Sequence, residues 1–161
     1  MPPLSVVIIA RNEEDRIGEA IESVSFADEI VVLDSGSSDG TVALARSLGA
    51  RVVETDWPGH VAQKNRALVY VSSDWILSID ADERISPALA DSIQAVMATE
   101  PTVAGFRMSR LSWWMGAPIR YGAWYPDRRI RLFDRRYARW AGIDPHDYVA
   151  LEGDVEPLAG D

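Results

Sequence analysis

The chain has 161 residues, enough for one domain with a hydrophobic core. It contains no Cys, which excludes disulfides and zinc–thiolate sites, and no apolar run approaches the roughly 18 residues of a membrane span. The net charge of −9 argues against general polyanion binding, and the N-terminus lacks the basic region of a secretory signal, so we expect a cytoplasmic protein without a nucleic-acid partner.

Strands and helices alternate through the first hundred residues. Short apolar runs predict strands at Leu4–Ala10, Glu29–Leu33, Arg51–Thr55 and Trp75–Ile79. Helical spacing predicts helices at about Glu13–Val24, Thr41–Leu48 and His60–Val71, and from Pro87 to just before Pro101. Because the connections are short, the alternation predicts an α/β fold, with a Rossmann-like, mostly parallel sheet and helices on both faces.

Polar residues follow three of these strands where each strand ends. Residues 10–12 close the first strand, Asp34 follows the second, and Asp80, Asp82 and Glu83 follow the fourth. Such tips share one edge of a parallel sheet, where nucleotides bind. Carboxylates there suit Mg²⁺ or Mn²⁺, which can hold a diphosphate. A solvated strand-to-helix loop explains the carboxylate cluster equally well.

The pattern changes after Pro101. Strands are predicted at Val103–Leu111 and Arg129–Phe133, with an aromatic, glycine-interrupted loop region between them. The acidic tail from Glu152 to Asp161 is expected to be frayed. We therefore expect a single domain over residues 1–161, with a nucleotide-binding half at 1–100 and an acceptor-side region at 101–161.

Nine arginines fall between Arg107 and Arg139, among many aromatic residues. One interpretation is a peripheral basic patch, including Arg135, Arg136 and Arg139, that brings an acidic protein to an anionic membrane. Another is a non-catalytic module that stacks RNA bases on its aromatic side chains. The third is that these arginines form a solvated face and pair with carboxylates of the first half.

Four motifs occur together in this order along the chain. They are Ile9-Ala10-Arg11-Asn12-Glu13-Glu14, the run from Val31 through Asp34 to Thr41, Gly59 with Lys64-Asn65-Arg66-Ala67, and Asp80-Ala81-Asp82-Glu83. The set resembles family 2 glycosyltransferases of the GT-A fold. Three later segments are similar to those of the branch of this family that adds sugars to the lipopolysaccharide core: residues 122–127, residues 131–133 and Pro145-His146-Asp147. Relatives in that branch continue for a further segment, so the acceptor-side region is expected to be incomplete.

The resemblance implies a nucleotide-sugar donor, typically a UDP-sugar, a saccharide or glycolipid acceptor, and Mn²⁺ or Mg²⁺ as cofactor. It implies a nucleotide pocket lined by Ala10, Arg11, Asn12, Glu13 and Ala81. By the same resemblance Asp34 accepts a hydrogen bond from the base, Asp80 faces the ribose and metal region, and Asp82 ligates the metal. Lys64 and Arg66 are then expected near the diphosphate or the carboxylates, and His146 matches a later metal or phosphate contact.

Sugar transfer also needs a general base for the acceptor hydroxyl, usually Asp or Glu. The candidates are Asp127, which we prefer, and Asp147, and the family implies inversion at the anomeric carbon. Four of the candidate residues also have a purely structural interpretation. Asp127 could form a turn, Asp34 could cap a helix, His146 could be a hydrogen-bonded loop residue, and Lys64 could lie on a solvated helix face. A nucleotidyltransferase is a further alternative, although residues 11–14 lack the glycine of a phosphate-binding loop.

Overall fold

The computed structural model describes residues 1–161, except the side chain of Trp124. That side chain belongs to the predicted aromatic loop and lies outside the described residues. The first half contains β1 Leu4–Ala10, α1 Ile17–Ser23, β2 Glu29–Asp34, α2 Thr41–Ser47, β3 Arg51–Glu54, α3 His60–Ala67, β4 Trp75–Asp80 and α4 Pro87–Ala98. The second contains β5 Gly105–Arg110, β6 Ser112–Trp114, β7 Ala117–Ile119, a 3-10 turn at Gly122–Trp124, β8 Asp127–Asp134, β9 Ala138–Ile143, β10 His146–Leu151 and β11 Val155–Pro157.

The main sheet has seven strands in the order β11-β5-β8-β4-β1-β2-β3. Strands β4, β1, β2 and β3 are parallel neighbours, while β8 runs antiparallel to both β4 and β5. Val6 of β1 lies opposite Ile30 on one side and Leu77 on the other, and all of β1 except Ile9 is fully buried. Burial on both faces explains why these strands read as continuous apolar runs.

Helices cover both faces of the sheet, which confirms the predicted mostly parallel α/β architecture. On one face, buried side chains of α1, α2 and α4 cluster with Val6, Ile8 and Leu77. On the other, α3 and β9 pack against Val7, Ile76 and the buried Phe133. The carboxyl ends of β1, β2 and β4 lie at one edge, as predicted.

Two helices are shorter than predicted. Helix α1 begins at Ile17 because the preceding backbone is tied to another loop: the N–H groups of Asn12 and Glu13 donate to Ser37 Oγ and Thr41 Oγ1, both at 2.8 Å. Helix α3 ends at Ala67, after which the backbone continues in tighter i→i−3 hydrogen-bonded turns to Tyr70.

The second half is more ordered than the sequence suggests. Residues 112–119 form a hairpin, and a second hairpin, β9–β10, covers the region around Pro145. The prediction of a frayed tail is wrong: β11 adds to β5 in parallel, and the N–H of Leu158 donates to the Arg107 carbonyl at 2.9 Å. The edge strand β5 offers unpaired backbone groups that the tail satisfies.

The helices are short. The longest within the described residues is α4, with 12 residues, and none of them has the length and apolar character to cross a membrane.

Candidate functional site

A pocket of about 770 Å³ opens at the carboxyl edge of the sheet, between the ends of β1 and β4, strand β8 and the β9–β10 hairpin. Most of the predicted site residues line it: Ala10, Arg11, Glu13, Lys64, Asp80, Ala81, Asp82, His146 and Asp147. Four others, Asn12, Asp34, Arg66 and Asp127, lie outside the lining. The roles assigned to all of these residues stay predictions.

Lys64 is the centre of the pocket floor. It projects from α3, is 3% exposed, and its Nζ lies 2.6 Å from Asp147 Oδ2 and 3.0 Å from Asp80 Oδ1. The same ammonium lies 4.4 Å from the ring centroid of Trp140. The alternative of a solvated helix face is therefore wrong, because the only lysine in the chain is buried between two carboxylates and an aromatic face.

The contacts continue from Asp80 as an unbroken series of alternating charges. Arg131 lies 3.5 Å from Asp80 and 2.9 Å from Glu83, and Glu83 lies 3.8 Å from Arg110. Asp127 then contacts Arg110 at 2.6 Å and Arg129 at 2.8 Å. We call this set the ion-pair chain; its members in order are Asp147, Lys64, Asp80, Arg131, Glu83, Arg110, Asp127 and Arg129. The two candidate bases thus belong to one network in which each carboxylate contacts at least one cation.

The carboxylates of the ion-pair chain differ in their affinity for protons. Burial would raise the pKa of Asp80, but Arg131 and Lys64 outweigh it and hold that pKa below its ordinary value. Burial raises the pKa of Glu83, opposed by Arg131 and reinforced by the charge of Asp80. Burial would also raise the pKa of Asp127, but Arg129 and Arg110 lower it. The anion of Asp127 is therefore stabilised, which weakens it as a proton acceptor.

The β9–β10 hairpin is fixed to α3 through backbone groups. Asn65 Nδ2 donates to the Trp140 carbonyl, and the Trp140 N–H donates to Asn65 Oδ1, both at 2.9 Å. The side-chain amide of Asn65 therefore pairs with the backbone of β9 in the way that a neighbouring strand would. The N–H groups of His60 and Val61 donate to the Asp144 carboxylate at 2.9 and 3.0 Å. Asp144 therefore satisfies the first donors of α3 from a distant part of the chain.

A glycine makes this approach possible. Gly59 has φ +105°, and a Cβ placed on it would lie 2.1 Å from the Asp144 carboxylate. The hairpin that Asp144 anchors carries Trp140, His146 and Asp147 to the pocket. Its attachment to α3 therefore positions those three side chains.

Asp34 organises a loop and does not face the pocket. It is 1% exposed, and its Oδ2 accepts the N–H groups of Gly36 and Ser37 at 3.0 and 2.8 Å. The Ser37 hydroxyl donates to the other oxygen of Asp34 and accepts the Asn12 N–H at 2.8 Å. Asp34 thus ties the ends of β1 and β2 together, whereas Thr41 at the start of α2 is held by Asp39. Base recognition by Asp34 stays a prediction.

Two predicted metal or phosphate contacts are accessible at the pocket. The Asp82 side chain is 55% exposed, with Arg16 at 4.0 Å, and His146 is exposed at the start of β10. Arg66 instead pairs with Asp56 at 2.7 Å. Among the described residues, no three or more His, Cys, Asp or Glu side chains come together as a metal site.

Sequence reasoning missed Trp140 and Arg131 as pocket residues and considered Glu83 only as part of the carboxylate cluster that suits a metal. Arg131 stands between Ile130 and Leu132 in a strand, where alternation predicts a solvated face; it is instead buried against Asp80 and Glu83. Within the described residues, Arg131 Nη1 and Trp140 Nε1 are buried donors without a hydrogen-bond acceptor. Both residues line the pocket, but these two donor atoms are themselves buried behind its wall.

The Arg-rich segment is largely committed to the fold. Arg135 donates to the carbonyls of Leu68 and Val71 at 2.7 and 3.0 Å, and Arg136 pairs with Asp134 at 2.6 Å. Both arginines also lie near the Asp74 carboxylate of the first half, at 3.8 and 3.5 Å, so the interpretation of pairing with first-half carboxylates holds for two of the three in the expected membrane patch.

Comparisons with known proteins agree with this geometry. A sequence profile of the family described as glycosyl transferase family 2 matches residues 5–150. A glycosyltransferase of Rickettsia bellii is 49% identical over 95% of this chain and 54% of its own length. The lipopolysaccharide core biosynthesis glycosyltransferase LpsC of Rhizobium meliloti is 36% identical over 95% of this chain and 59% of its own length. The chain therefore spans little more than half the length of these relatives.

The fold has solved counterparts. Glucosyl-3-phosphoglycerate synthase of Mycobacterium tuberculosis in complex with uridine diphosphate matches 70% of this chain and 46% of that chain, with a TM-score of 0.59 and 30% identity. The same enzyme has been solved with Mn²⁺, uridine-diphosphate-glucose and phosphoglyceric acid, with a TM-score of 0.57 and 31% identity over 66% of this chain and 43% of that chain.

Proposed function

The chain belongs to glycosyltransferase family 2, and we propose that it transfers a sugar from a uridine diphosphate sugar to a hydroxyl of a saccharide or glycolipid, such as the lipopolysaccharide core. The observation that carries the proposal is the pocket at the carboxyl edge of β1 and β4, with Lys64, Asp80 and Asp147 in its floor. Two relatives support the details: one is named for lipopolysaccharide core biosynthesis, and one was solved with uridine diphosphate.

The donor would occupy the part of the pocket bordered by β1 and β4. Ala10, Arg11 and Glu13 line that side, and Asn12 and Asp34 hold the loop behind it. The exposed Arg128 also lines the pocket, and its guanidinium group suits phosphate oxygens. These groups would bind and orient the donor before reaction.

The residues present fit a divalent cation. Asp80 is already paired with Lys64 and Arg131, whereas the Asp82 carboxylate is accessible at the same strand end. A hard cation held by Asp82, with His146 as a second candidate, would keep positions open for diphosphate oxygens. Bound Mn²⁺ or Mg²⁺ would supply Lewis-acid neutralisation of the leaving diphosphate.

The transfer itself would be one displacement with inversion. The acceptor oxygen bonds to the anomeric carbon, the bond from that carbon to the diphosphate breaks, and the hydroxyl proton passes to a carboxylate. Both candidates are ion-paired, Asp147 with Lys64 and Asp127 with two arginines, but only Asp147 lines the pocket. The geometry favours Asp147 as the base, and Asp127 stays the second candidate.

The two alternative functions gain no support from the site. A nucleotidyltransferase would release pyrophosphate and not a nucleoside diphosphate, and the family to which the chain belongs transfers sugars. An RNA-binding module would use the arginines between Arg107 and Arg139, but five of these nine are paired within the protein, namely Arg110, Arg129, Arg131, Arg135 and Arg136.

A thermal-shift panel of nucleotide sugars with Mn²⁺ or Mg²⁺ tests the proposal. A uridine diphosphate sugar at about 100 times its dissociation constant should add about 2.7 kcal/mol of stability. For a chain of this size that corresponds to a rise of about 5–11 °C in Tm. Equal shifts with adenosine or guanosine diphosphate sugars would refute the uridine preference. No shift with any nucleotide sugar would refute the proposal.

A further inference from the structure

The β6–β7 hairpin carries three consecutive exposed apolar side chains. We call residues 112–119 the tryptophan hairpin. Trp113 is 62% exposed, Trp114 70% and Met115 92%, and no charged residue occurs from Leu111 to Ile119. Its turn has positive φ at both central residues, Met115 at +48° and Gly116 at +81°, which matches the twist of a tight hairpin and fixes the tip.

Trp113 and Trp114 follow one another in β6, so they project from opposite faces of the hairpin, and both faces leave a tryptophan more than half exposed. Strand β6 pairs with β7 in a sheet of its own, and neither tryptophan has an aromatic or cation–π partner among the described residues. A two-stranded hairpin with three residues per strand is marginal in water by itself. Contiguous exposed apolar side chains of this kind indicate a binding surface.

The tryptophan hairpin stands beside the pocket mouth. Strand β5 runs parallel to β4, because both are antiparallel to β8, so its last residue, Arg110, lies at the carboxyl edge of the sheet. Arg110 and the exposed Arg128, which pairs with β5 in register, also line the pocket. Arg120 follows β7 directly and is half exposed. An uncharged aromatic tip therefore rises from a base that carries the exposed Arg128 and the half-exposed Arg120, which lies 3.9 Å from Asp161, whereas Arg110 is paired with Asp127.

We propose that the tryptophan hairpin inserts into the interfacial layer of a lipid bilayer that contains anionic lipids. Indole rings combine an apolar body with an N–H donor and concentrate at the level of the headgroups. Arginines at the base of the hairpin would then meet lipid phosphates, which provides the charge complementarity that the protein, at −9 overall, otherwise lacks. Such docking would present the pocket mouth to the membrane.

The binding surface is inferred from the hairpin and the arginines at its base; only its use, the capture of a membrane-borne acceptor, rests on the proposed function. Vesicle flotation with phosphatidylcholine, alone or mixed with phosphatidylglycerol, tests the surface, and uridine diphosphate titration of the same samples tests the function separately. Wild-type protein should float with the mixed vesicles. Each of Trp113→Ser and Trp114→Ser should lower the partition coefficient about tenfold, and the double variant should lower it further than either single variant.

A matched control variant distinguishes insertion of the hairpin from nonspecific adsorption of the protein to vesicles. Tyr137, an exposed aromatic residue in the β8–β9 turn at the opposite edge of the sheet, should tolerate Tyr137→Ser with unchanged flotation. Nucleotide affinity should be the same in all variants. High salt should weaken flotation without abolishing it, because apolar insertion is not screened.

Four results would overturn the proposal. The first is a wild-type protein that does not float, and the second is a double variant that floats as well as wild type. The third is flotation that high salt abolishes entirely. The fourth is that wild type is a dimer and the double variant a monomer, while neither protein floats. The last result would show that the tryptophan hairpin binds a second copy of the chain.

Discussion

Replacement of Lys64 by methionine removes the central cation of the pocket floor at similar side-chain volume. The variant leaves the carboxylates of Asp80 and Asp147, 3.0 and 2.6 Å from the lost ammonium, without that partner. Removal of one member of a buried ion pair costs about 3–5 kcal/mol. Because the Asp80 side chain is 31% exposed and keeps its contact with Arg131, we expect the lower end of this range. The free energy of unfolding should fall by about 3 kcal/mol, which lowers Tm by about 6–12 °C.

The loss should depend on pH. Lys64 and Arg131 hold the folded pKa of Asp80 below its unfolded value, so this carboxylate contributes stability above the unfolded pKa of about 3.9 and loses it as the pH falls through the folded pKa. The difference between wild type and Lys64→Met should therefore be full at neutral pH and should shrink as the pH falls below about 4. Calorimetry at a series of pH values measures it.

An exposed ion pair provides the control. Arg84 and Glu19 pair with both side chains more than half exposed, so Arg84→Met should cost less than about 1 kcal/mol. If Lys64→Met costs no more than Arg84→Met, or if its cost is constant from neutral pH to pH 3, the ion-pair chain does not stabilise the pocket and the reasoning is refuted.

Three further predictions follow from the loops and the candidate bases. Asp34→Ala should leave two backbone donors unpaired, lower stability by about 1–3 kcal/mol and weaken uridine diphosphate binding at least about tenfold by calorimetry; a loss of stability alone would make Asp34 a loop residue only. Gly59→Ala should displace Asp144 from the start of α3 and cost at least about 1 kcal/mol in denaturant unfolding, whereas unchanged stability would mean that α3 does not need this cap. Asp147→Asn should lower kcat by about 10²–10⁴-fold and Asp127→Asn by less than tenfold, and the opposite order would identify Asp127 as the base.

The first half of the fold is predictable because its signals are local. Strands β1, β2 and β4 are buried on both faces and consist of runs rich in Val, Ile and Leu, such as Val31-Val32-Leu33. Their right-handed connections then place Ala10, Asp34 and Asp80 at one edge without knowledge of any side-chain contact.

The second half is harder because its order depends on contacts between distant residues. The β9–β10 hairpin is held by Asn65 and Asp144 across separations of 75 to 84 residues, and no periodicity in residues 138–151 indicates them. The same dependence hides the buried Arg131, since only the folded chain brings Asp80 and Glu83 to it. Of the site, the carboxylate edge could therefore be predicted, and the opposite wall could not.

Calorimetric titration of uridine diphosphate, with and without Mn²⁺, into wild-type protein and Asp82→Asn tests the proposed donor site most directly. Asp82 is accessible and has only a 4.0 Å contact with Arg16, so the substitution should leave Tm within about 2 °C of wild type. We predict that Mn²⁺ strengthens binding to wild type at least about tenfold and that Asp82→Asn loses this gain. Equal affinity with and without Mn²⁺, or an Asp82→Asn variant that keeps the full gain, would contradict a metal-assisted nucleotide site at the end of β4.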